Sequence, residues 1–251
     1  MNTTILLDGD VTLHRACAAA STSVSWGDGS ELLWTVNVKA AVGYVQRELS
    51  RLRKLLGAQA VIVALGDRNA NFRKELCPTY KAHRTAYPKP PGFLEIEAEI
   101  VQHCRVAREA RLEGDDMLGL LATKEPTEGK IIVTIDKDLL QIPGQHYNPD
   151  TNVMSTVEPW QGHERHLTQT LTGDRVDGYP GCPGIGPVRA AALLDQFETP
   201  EEVWPGTVDI FQKAGKDADF ALLQARLAFV LRQGWYDRKT QEVKLWTPPI
   251  P

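Results

Sequence analysis

Carboxylates that follow short apolar runs are the residues of this chain best suited to chemistry. Asp8 ends the run "ILL", Asp67 follows "AVIVAL" at 60–65, and Asp136 follows "KIIVTI" at 130–135. An aspartate at the end of a buried strand can act as a nucleophile or as a metal ligand. It can equally cap a helix or form a turn.

Further acids accompany these three positions, in the stretches "EGDD", "DKD" and "GDRVD". The full set of candidates is Asp8, Asp67, Glu113, Asp115, Asp116, Asp136, Asp138, Asp174 and Asp177. Like charges held close together cannot all ionise without compensation, so a cluster of this kind implies bound divalent cations. Oxygen ligands without Cys or His at ligand spacing favour Mg²⁺ or Mn²⁺ over Zn²⁺. A single Mg²⁺ usually keeps several waters, so it would not use all nine carboxylates. The number of ligands therefore predicts two ions, and paired metal ions are typical of sites that cleave phosphodiesters.

The elements that must position these acids alternate between strand and helix. We predict strands at 3–8, 60–65 and 130–135, a short strand within 104–110, and helices at 36–56, 93–104 and 114–124. This alternation indicates an α/β fold with a mainly parallel central sheet and helices on both faces. Ligands of such sheets bind at the carboxyl ends of the strands, so we expect Asp8, Asp67 and Asp136 at one edge.

After about residue 165 the pattern changes to helices separated by a Gly/Pro-rich turn, "GYPGCPGIG" at 178–186. We predict a further helix at 220–234, a polar loop at 198–219, and a strand or extended tail at 242–246. Glycines let the backbone approach a phosphate closely, and a following helix N-terminus offers free N–H groups. A plain turn between helices would explain two glycines better than four glycines interleaved with prolines.

Charge and composition restrict the class of protein. The net charge of −4 argues against nucleic-acid binding, but the segment 68–91 carries six basic residues and one acid, a local balance of +5. The chain is 42% hydrophobic, and we find neither an apolar run of membrane-spanning length nor a secretory signal. Four scattered cysteines suit reduced thiols. We therefore expect a cytoplasmic globular protein.

Taken in order, these motifs resemble the flap endonuclease and 5′–3′ exonuclease family, most closely the 5′–3′ exonucleases of short-tailed bacteriophages. The resemblance rests on "LLDGD", "ALGDRNANFRKELCPTYKAHR", "LEGDDMLGLLA", "VTIDKDLLQIPG" and "LTGDRVDGYPGCPGIGPVRAAALL". It implies a PIN-like, Rossmann-like catalytic domain at 1–165, with a basic arch or clamp at about 68–91. It also implies a duplex-binding helix–three-turn–helix region at 166–235 and a tail at 236–251. The implied substrates are duplex DNA with 5′ ends, gaps or flaps, with RNA–DNA hybrids as a further candidate.

The resemblance also implies residue roles. One metal would be held by Asp8, Asp67, Glu113 and Asp115, with Asp116 between the sites, and the second by Asp136, Asp138, Asp174 and Asp177. Lys81 and Arg84 match the family's phosphate-engaging Lys and Arg. DNA contacts are expected from Arg73, Lys74, Gly181, Gly184, Gly186 and Arg189, and base stacking from Tyr80 and Phe72. Backbone carbonyls of Cys182 and Ile185 would hold K⁺.

Other interpretations remain open from sequence. "DGDVT" fits the first motif of haloacid-dehalogenase-type phosphatases, with Asp8 as nucleophile and Asp10 as general acid. That alternative leaves the basic segment, "EGDD" and "PGCPGIG" unexplained. A non-catalytic DNA-binding relative and a related RNase domain are further alternatives. We expect Asp10 to cap a helix that starts near Val11, and His163 and His166 to lie at the surface.

Overall fold

The computed structural model describes residues 2–24, 33–83, 89–197 and 200–248. In chain order the elements are β1 (Thr4–Asp8), α1 (Gly9–Ala20), β2 (Ser21–Val24), β3 (Leu33–Val36), α2 (Val38–Leu55), β4 (Ala60–Ala64), α3 (Phe72–Leu76), α4 (Phe93–His103), β5 (Val106–Ala107), α5 (Gly114–Ala122), β6 (Lys130–Val133), a 3₁₀ helix (Asp138–Gln141), β7 (Gly144–Asn148), β8 (Val153–Val157), α6 (Pro159–Thr172), α7 (Pro187–Leu194), α8 (Pro200–Lys213), α9 (Ala218–Ala228), β9 (Tyr236–Asp237) and β10 (Glu242–Val243).

The central sheet has the strand order β5-β4-β1-β6-β7-β8. Its first five strands are parallel, and β8 returns antiparallel beside β7. Asp8 lies opposite Ala64, and Leu7 lies opposite Val133, so β4, β1 and β6 end side by side. The predicted α/β class with a mainly parallel sheet is confirmed.

Helices cover both faces of this sheet, as predicted. Ile5 and Leu7 pack on one face against α1, α2 and α4, whereas Leu6 packs on the opposite face. That second face is covered by α5, the end of α9 and Trp246. Because alternate residues of β1 are buried on both sides, its sequence is a continuous apolar run.

The C-terminal helices have their own core, which includes Leu167, Leu171, Ala190, Phe211 and Ala221. The predicted boundary at 165/166 falls within α6, so that helix connects the sheet domain to the helical region. The end of α9 also packs on the sheet, and the two parts therefore share buried surface.

Several elements differ from the sequence prediction. The expected polar loop at 198–219 is largely helix α8, whose Phe211 is fully buried while Pro205 and Gly206 obscure the pattern. The expected 220–234 helix starts earlier and ends at Ala228. The antiparallel β2–β3 pair and the β7–β8 pair were not predicted, since their strands lack a long apolar run. Among the described residues, no helix combines the length and apolarity needed to cross a bilayer.

Candidate metal centre

The Asp8 side chain, at the end of β1, forms hydrogen bonds with α1 and with the residue that follows β6. Its Oδ1 accepts the Val11 N–H at 3.1 Å and so caps α1, and its Oδ2 accepts the Thr134 hydroxyl at 2.8 Å. The same Thr134 oxygen accepts the N–H of Asp136 at 2.9 Å. Burial, helped by the charges of Asp10 and Asp136, raises the pKa of Asp8 to about 6. Thr134, which was not predicted from the sequence, therefore links the Asp8 carboxylate to the backbone of Asp136 in the loop after β6.

Asp115 completes an acidic group with Asp8 and Asp136. Burial and then the negative charges of Asp8 and Asp136 raise the pKa of Asp115 well above its usual range. The three carboxylates come from β1, the α5 N-terminus and the loop after β6. When ionised, these carboxylates would repel one another, and a bound divalent cation would offset that repulsion. The all-oxygen donor set suits Mg²⁺ or Mn²⁺.

Glu113 forms a second group, with Asp177 and two residues of the basic segment. The Tyr80 hydroxyl oxygen lies 2.9 Å from Glu113 Oε2 and 2.9 Å from Asp177 Oδ2. Lys81 Nζ forms an ion pair with Glu113 and lies 3.3 Å from Asp177 Oδ2. Burial raises the pKa of Glu113, but Lys81 and Arg73 outweigh it and lower that pKa to about 2. Tyr80 and Lys81 of the basic segment therefore contact the carboxylates of Glu113 and Asp177 directly.

Asp67 and Asp174 use their carboxylates to shape turns. Asp67 Oδ1 accepts the Asn69 N–H at 2.9 Å, and its Oδ2 accepts the Arg111 N–H at 2.8 Å. Asp174 Oδ1 accepts the N–H groups of Val176 at 2.6 Å and Asp177 at 3.1 Å. Since a carboxylate has about four acceptor positions, these bonds leave capacity for a cation.

Asp138 lies next to Asp136, whose Oδ1 accepts the Asp138 N–H at 2.8 Å. Burial and the charge of Asp136 raise the pKa of Asp138, while Gln169 and Arg165 counteract this. Arg165 Nη2 lies 3.5 Å from Asp138 Oδ1. Both α6 residues were missed from the sequence, where nothing marks them as neighbours of an acid. Within the part of the chain that the structure describes, no three acidic, His or Cys side chains are grouped closely enough to hold a metal ion as they stand.

The predicted roles of Asp116 and Arg73 differ from what the structure shows. Asp116, expected between the metals, is 0% exposed and bonds Arg73 Nη1 at 2.7 Å and Nη2 at 2.8 Å. Arg73, expected on DNA, is 3% exposed and also donates to the carbonyls of Leu227 and Phe229. Their planar, bidentate pairing is structural, because neither group faces solvent.

Three further predictions differ from the structure, and a fourth falls on a residue that the structure does not describe. Tyr80 and Phe72, expected to stack a base, have buried rings, and Tyr80 lies against Tyr179. Asp10 does not cap α1, because Asp8 fills that position and Asp10 accepts the Gly66 N–H at 3.1 Å. His166, expected at the surface, is buried, and its Nε2 lies 2.9 Å from the Ala225 carbonyl oxygen. Arg84 lies outside the described residues.

The glycine turn presents an exposed backbone before α7. Gly184 has φ +74° and open space around it, and Gly186 is the N-cap of α7. Gly184, Gly186 and Arg189 are exposed, as is Lys74 on α3. Gly181 is instead buried, where a Cβ would overlap the backbone of Gly173. The Cys182 and Ile185 side chains are buried, and the Cys182 carbonyl accepts the Ile185 N–H at 3.2 Å.

Comparisons with known proteins agree on one family. Residues 3–170 match the profile of the 5′-3′ exonuclease N-terminal resolvase-like domain. The chain is 30% identical to the exodeoxyribonuclease of Enterobacteria phage T3, over 97% of this chain and 92% of that protein. It is 29% identical to the exonuclease of Escherichia phage T7, over 97% and 93%.

A solved structure shares the fold. The flap endonuclease of bacteriophage T5, in a pseudo-enzyme–product complex with DNA and metal ions, superposes with a TM-score of 0.65. The match has 14% identity and covers 90% of this chain and 89% of that one. The phosphatase alternative finds no support in any of these comparisons.

Proposed function

The chain belongs to the 5′–3′ exonuclease family, and on that premise we propose that it hydrolyses DNA phosphodiesters from 5′ ends. It would act as a structure-dependent exonuclease or flap endonuclease in replication, repair or recombination. The observation that carries the proposal is the joining of Lys81 to Glu113 and Asp177 at the acidic sheet edge. The Lys81 ammonium, which can contact a phosphate, thus lies among carboxylates that are suited to bind metal ions.

We propose that the acidic edge binds two or more Mg²⁺ ions, with Mn²⁺ able to substitute. Asp8, Asp67, Glu113 and Asp115 would serve one ion, and Asp136, Asp138, Asp174 and Asp177 the other. The raised pKa values of Asp8 and Asp115 support cation binding, since burial, together with the charges of neighbouring acids, disfavours both ionised carboxylates and a bound cation would stabilise them. Bound ions supply an activated water and neutralise the leaving oxygen. Asp116 is no longer included, because Arg73 already balances its charge.

Lys81 and Arg84 would offset the charge of the phosphate in the transition state. In this structure the Lys81 ammonium pairs with two carboxylates, and cations at those carboxylates would free it to contact the phosphate. Its φ of +51° and the 2.7 Å bond from its N–H to the Asp177 carbonyl fix the backbone from which the side chain reaches. Lys81 is therefore anchored at the place where a scissile phosphate would lie.

The protein would bind duplex DNA through contacts to the sugar–phosphate backbone, without base-specific contacts. Lys74, Gly184, Gly186 and Arg189 are exposed and supply positive charge or open backbone for phosphate contact. Carbonyls of Cys182 and Ile185 remain our candidates for a K⁺ ion in this turn. We keep the proposed division into a catalytic domain at 1–165, a duplex-binding region at 166–235 and a tail at 236–251. A cytoplasmic location and action on the RNA of hybrids also stay predictions.

Cleavage of end-labelled DNA tests this function. A duplex with a 5′ flap, labelled at either its 5′ or 3′ end, is incubated with Mg²⁺ or with EDTA. We expect early release of short 5′-labelled products with Mg²⁺, gradual shortening of the 3′-labelled strand, and no cleavage in EDTA. A small aryl phosphate serves as the control substrate. Rapid hydrolysis of that monoester with intact DNA would instead identify a phosphatase and overturn the proposal.

A further inference from the structure

Thr134 lies directly after β6, at the acidic edge of the sheet. It is buried, with 7% of the residue exposed, and its backbone N–H donates to the Tyr147 carbonyl of β7 at 3.2 Å. The strands β1 and β6 pair in parallel as far as Leu7 and Val133. Asp8 and Thr134, which follow these two residues, therefore lie side by side at the carboxyl end of the strands. The sheet thus fixes the place from which the Thr134 hydroxyl acts.

The partners of this hydroxyl determine the direction of its hydrogen bonds. The Asp136 N–H can only donate, and it donates to Thr134 Oγ1 at 2.9 Å. The hydroxyl hydrogen is then left for Asp8 Oδ2, which lies 2.8 Å from the same oxygen. Because a hydroxyl has one donor and two acceptor positions, and an ionised carboxylate only accepts, both bonds can form at once. Thr134 thus donates to one candidate metal ligand and accepts from the backbone of another.

These bonds connect ligands that we assign to different metal ions. The other oxygen of Asp8 is also held, because Oδ1 accepts the Val11 N–H at 3.1 Å. Beyond Thr134, Asp136 Oδ1 accepts the Asp138 N–H at 2.8 Å. One buried hydroxyl therefore joins the Asp8 carboxylate to the loop that carries the Asp136 and Asp138 carboxylates. Without that hydroxyl, the Asp8 carboxylate would keep only the hydrogen bond that caps α1.

We propose that Thr134 is a positioning residue for metal binding, whose hydroxyl sets the orientation of the Asp8 carboxylate and its placement relative to Asp136. The inference rests on the proposed two-metal nuclease function and adds a residue to it. Metal ions that act as a pair lie about 3.5–4 Å apart, so a displacement of one ligand relative to the other affects both sites. Groups that hydrogen-bond to metal ligands typically change metal affinity or activity by about 10–100-fold when they are replaced.

Mn²⁺ binding to the full chain without DNA tests this role through two substitutions at one position. Thr134→Val keeps the branched shape of the side chain and removes the hydroxyl, whereas Thr134→Ser keeps the hydroxyl and removes the methyl group. We expect Thr134→Val to bind Mn²⁺ about 10–100-fold more weakly by calorimetry, and Thr134→Ser to bind it nearly as tightly as the wild type. The Mg²⁺ concentration for half-maximal cleavage should rise in Thr134→Val alone, with cleavage largely recovered at high Mg²⁺. Thr207→Val is the matched control, since Thr207 is buried and its hydroxyl donates to the Val203 carbonyl at 2.7 Å within α8.

The outcomes separate this inference from the proposed function. A Thr134→Val protein that loses thermal stability like Thr207→Val, yet binds Mn²⁺ like the wild type, would show a purely structural role. A Thr134→Ser protein that binds Mn²⁺ as weakly as Thr134→Val would also overturn the inference, because the hydroxyl would then not be the group that matters. If Thr134→Val does not fold, Thr134→Ala removes the same hydroxyl without adding a methyl group in its place, and should show the same loss relative to Thr134→Ser. A wild-type protein that binds no divalent ion and cleaves no flap would overturn the nuclease proposal itself, whereas the first two results leave that proposal standing.

Discussion

Replacing Arg73 with methionine should lower the free energy of unfolding of the protein rather than its affinity for DNA. Arg73 gives two hydrogen bonds to the fully buried Asp116, at 2.7 and 2.8 Å, and two more to α9 and the residue after it. In Arg73→Met the Asp116 carboxylate keeps the Glu113 and Leu231 N–H groups, each at 3.1 Å, but has lost its counter-ion.

The cost can be bounded from the burial of the pair. Breaking a buried ion pair by removing one partner costs about 3–5 kcal/mol. A chain stabilised by about 5–15 kcal/mol loses a large share of its unfolding free energy. With a urea dependence of about 3 kcal/mol per M, the unfolding midpoint should fall by about 1–1.7 M. Replacing both charges, in Arg73→Met with Asp116→Leu, should recover part of this loss, because Asp116 no longer leaves an unpaired buried charge.

Urea unfolding followed by far-ultraviolet circular dichroism measures these values. Lys74→Met is the matched control, because Lys74 is exposed on the same short helix. It should change the free energy of unfolding by less than about 0.5 kcal/mol. As a phosphate contact it should also lower the salt dependence of DNA binding by about one counterion. An Arg73→Met protein that unfolds like the wild type but shows a reduced salt dependence of DNA binding would contradict a structural role for Arg73.

Three other substitutions test the roles of Lys81, Gly184 and His166. Lys81→Ala should slow single-turnover cleavage by about 10²–10³-fold on unrelated duplex sequences, and a sequence-selective loss would contradict a backbone role. Gly184→Val forces a branched side chain at φ +74° and should weaken binding to duplex more than to single strands, measured by fluorescence anisotropy. Burial lowers the pKa of His166 to about 3, so its neutral form stabilises the fold above pH 6.5 and this is lost as pH falls. Between pH 7.5 and 5.5 the free energy of unfolding should drop by about 1.4 kcal/mol from this group, a drop absent in His166→Gln but kept in the exposed His103→Gln.

The sheet and its acidic edge were predictable because their causes are local. A strand buried on both faces must be apolar, so β1, β4 and β6 were evident as runs, and the acids that follow them necessarily meet at one edge. The periodic pattern of α2 likewise follows from its one buried face. The sequence of turn glycines before α7 reflects backbone conformations with positive φ.

The partners of individual acids were not predictable, because they come from distant parts of the chain. Asp115 and Asp116 are adjacent on α5, but successive helical residues point about 100° apart. One faces Asp8 and Asp136, and the other faces Arg73, which lies 43 positions away. Arg73 and Lys74 are separated in the same way, one buried and one exposed. The spacing of residues cannot show which member of each pair turns inward.

The most direct test of the central claim compares Asp136→Asn with the wild type on a 5′-labelled flap duplex. Asp136 acts on both Asp8 and Asp115, so the substitution removes one charge from the acidic group and preserves the shape of the side chain. We expect that cleavage with Mg²⁺ is abolished while duplex affinity, measured with EDTA present, stays within about twofold of wild type. Near-full cleavage by Asp136→Asn would contradict the assignment of this sheet edge as the metal centre.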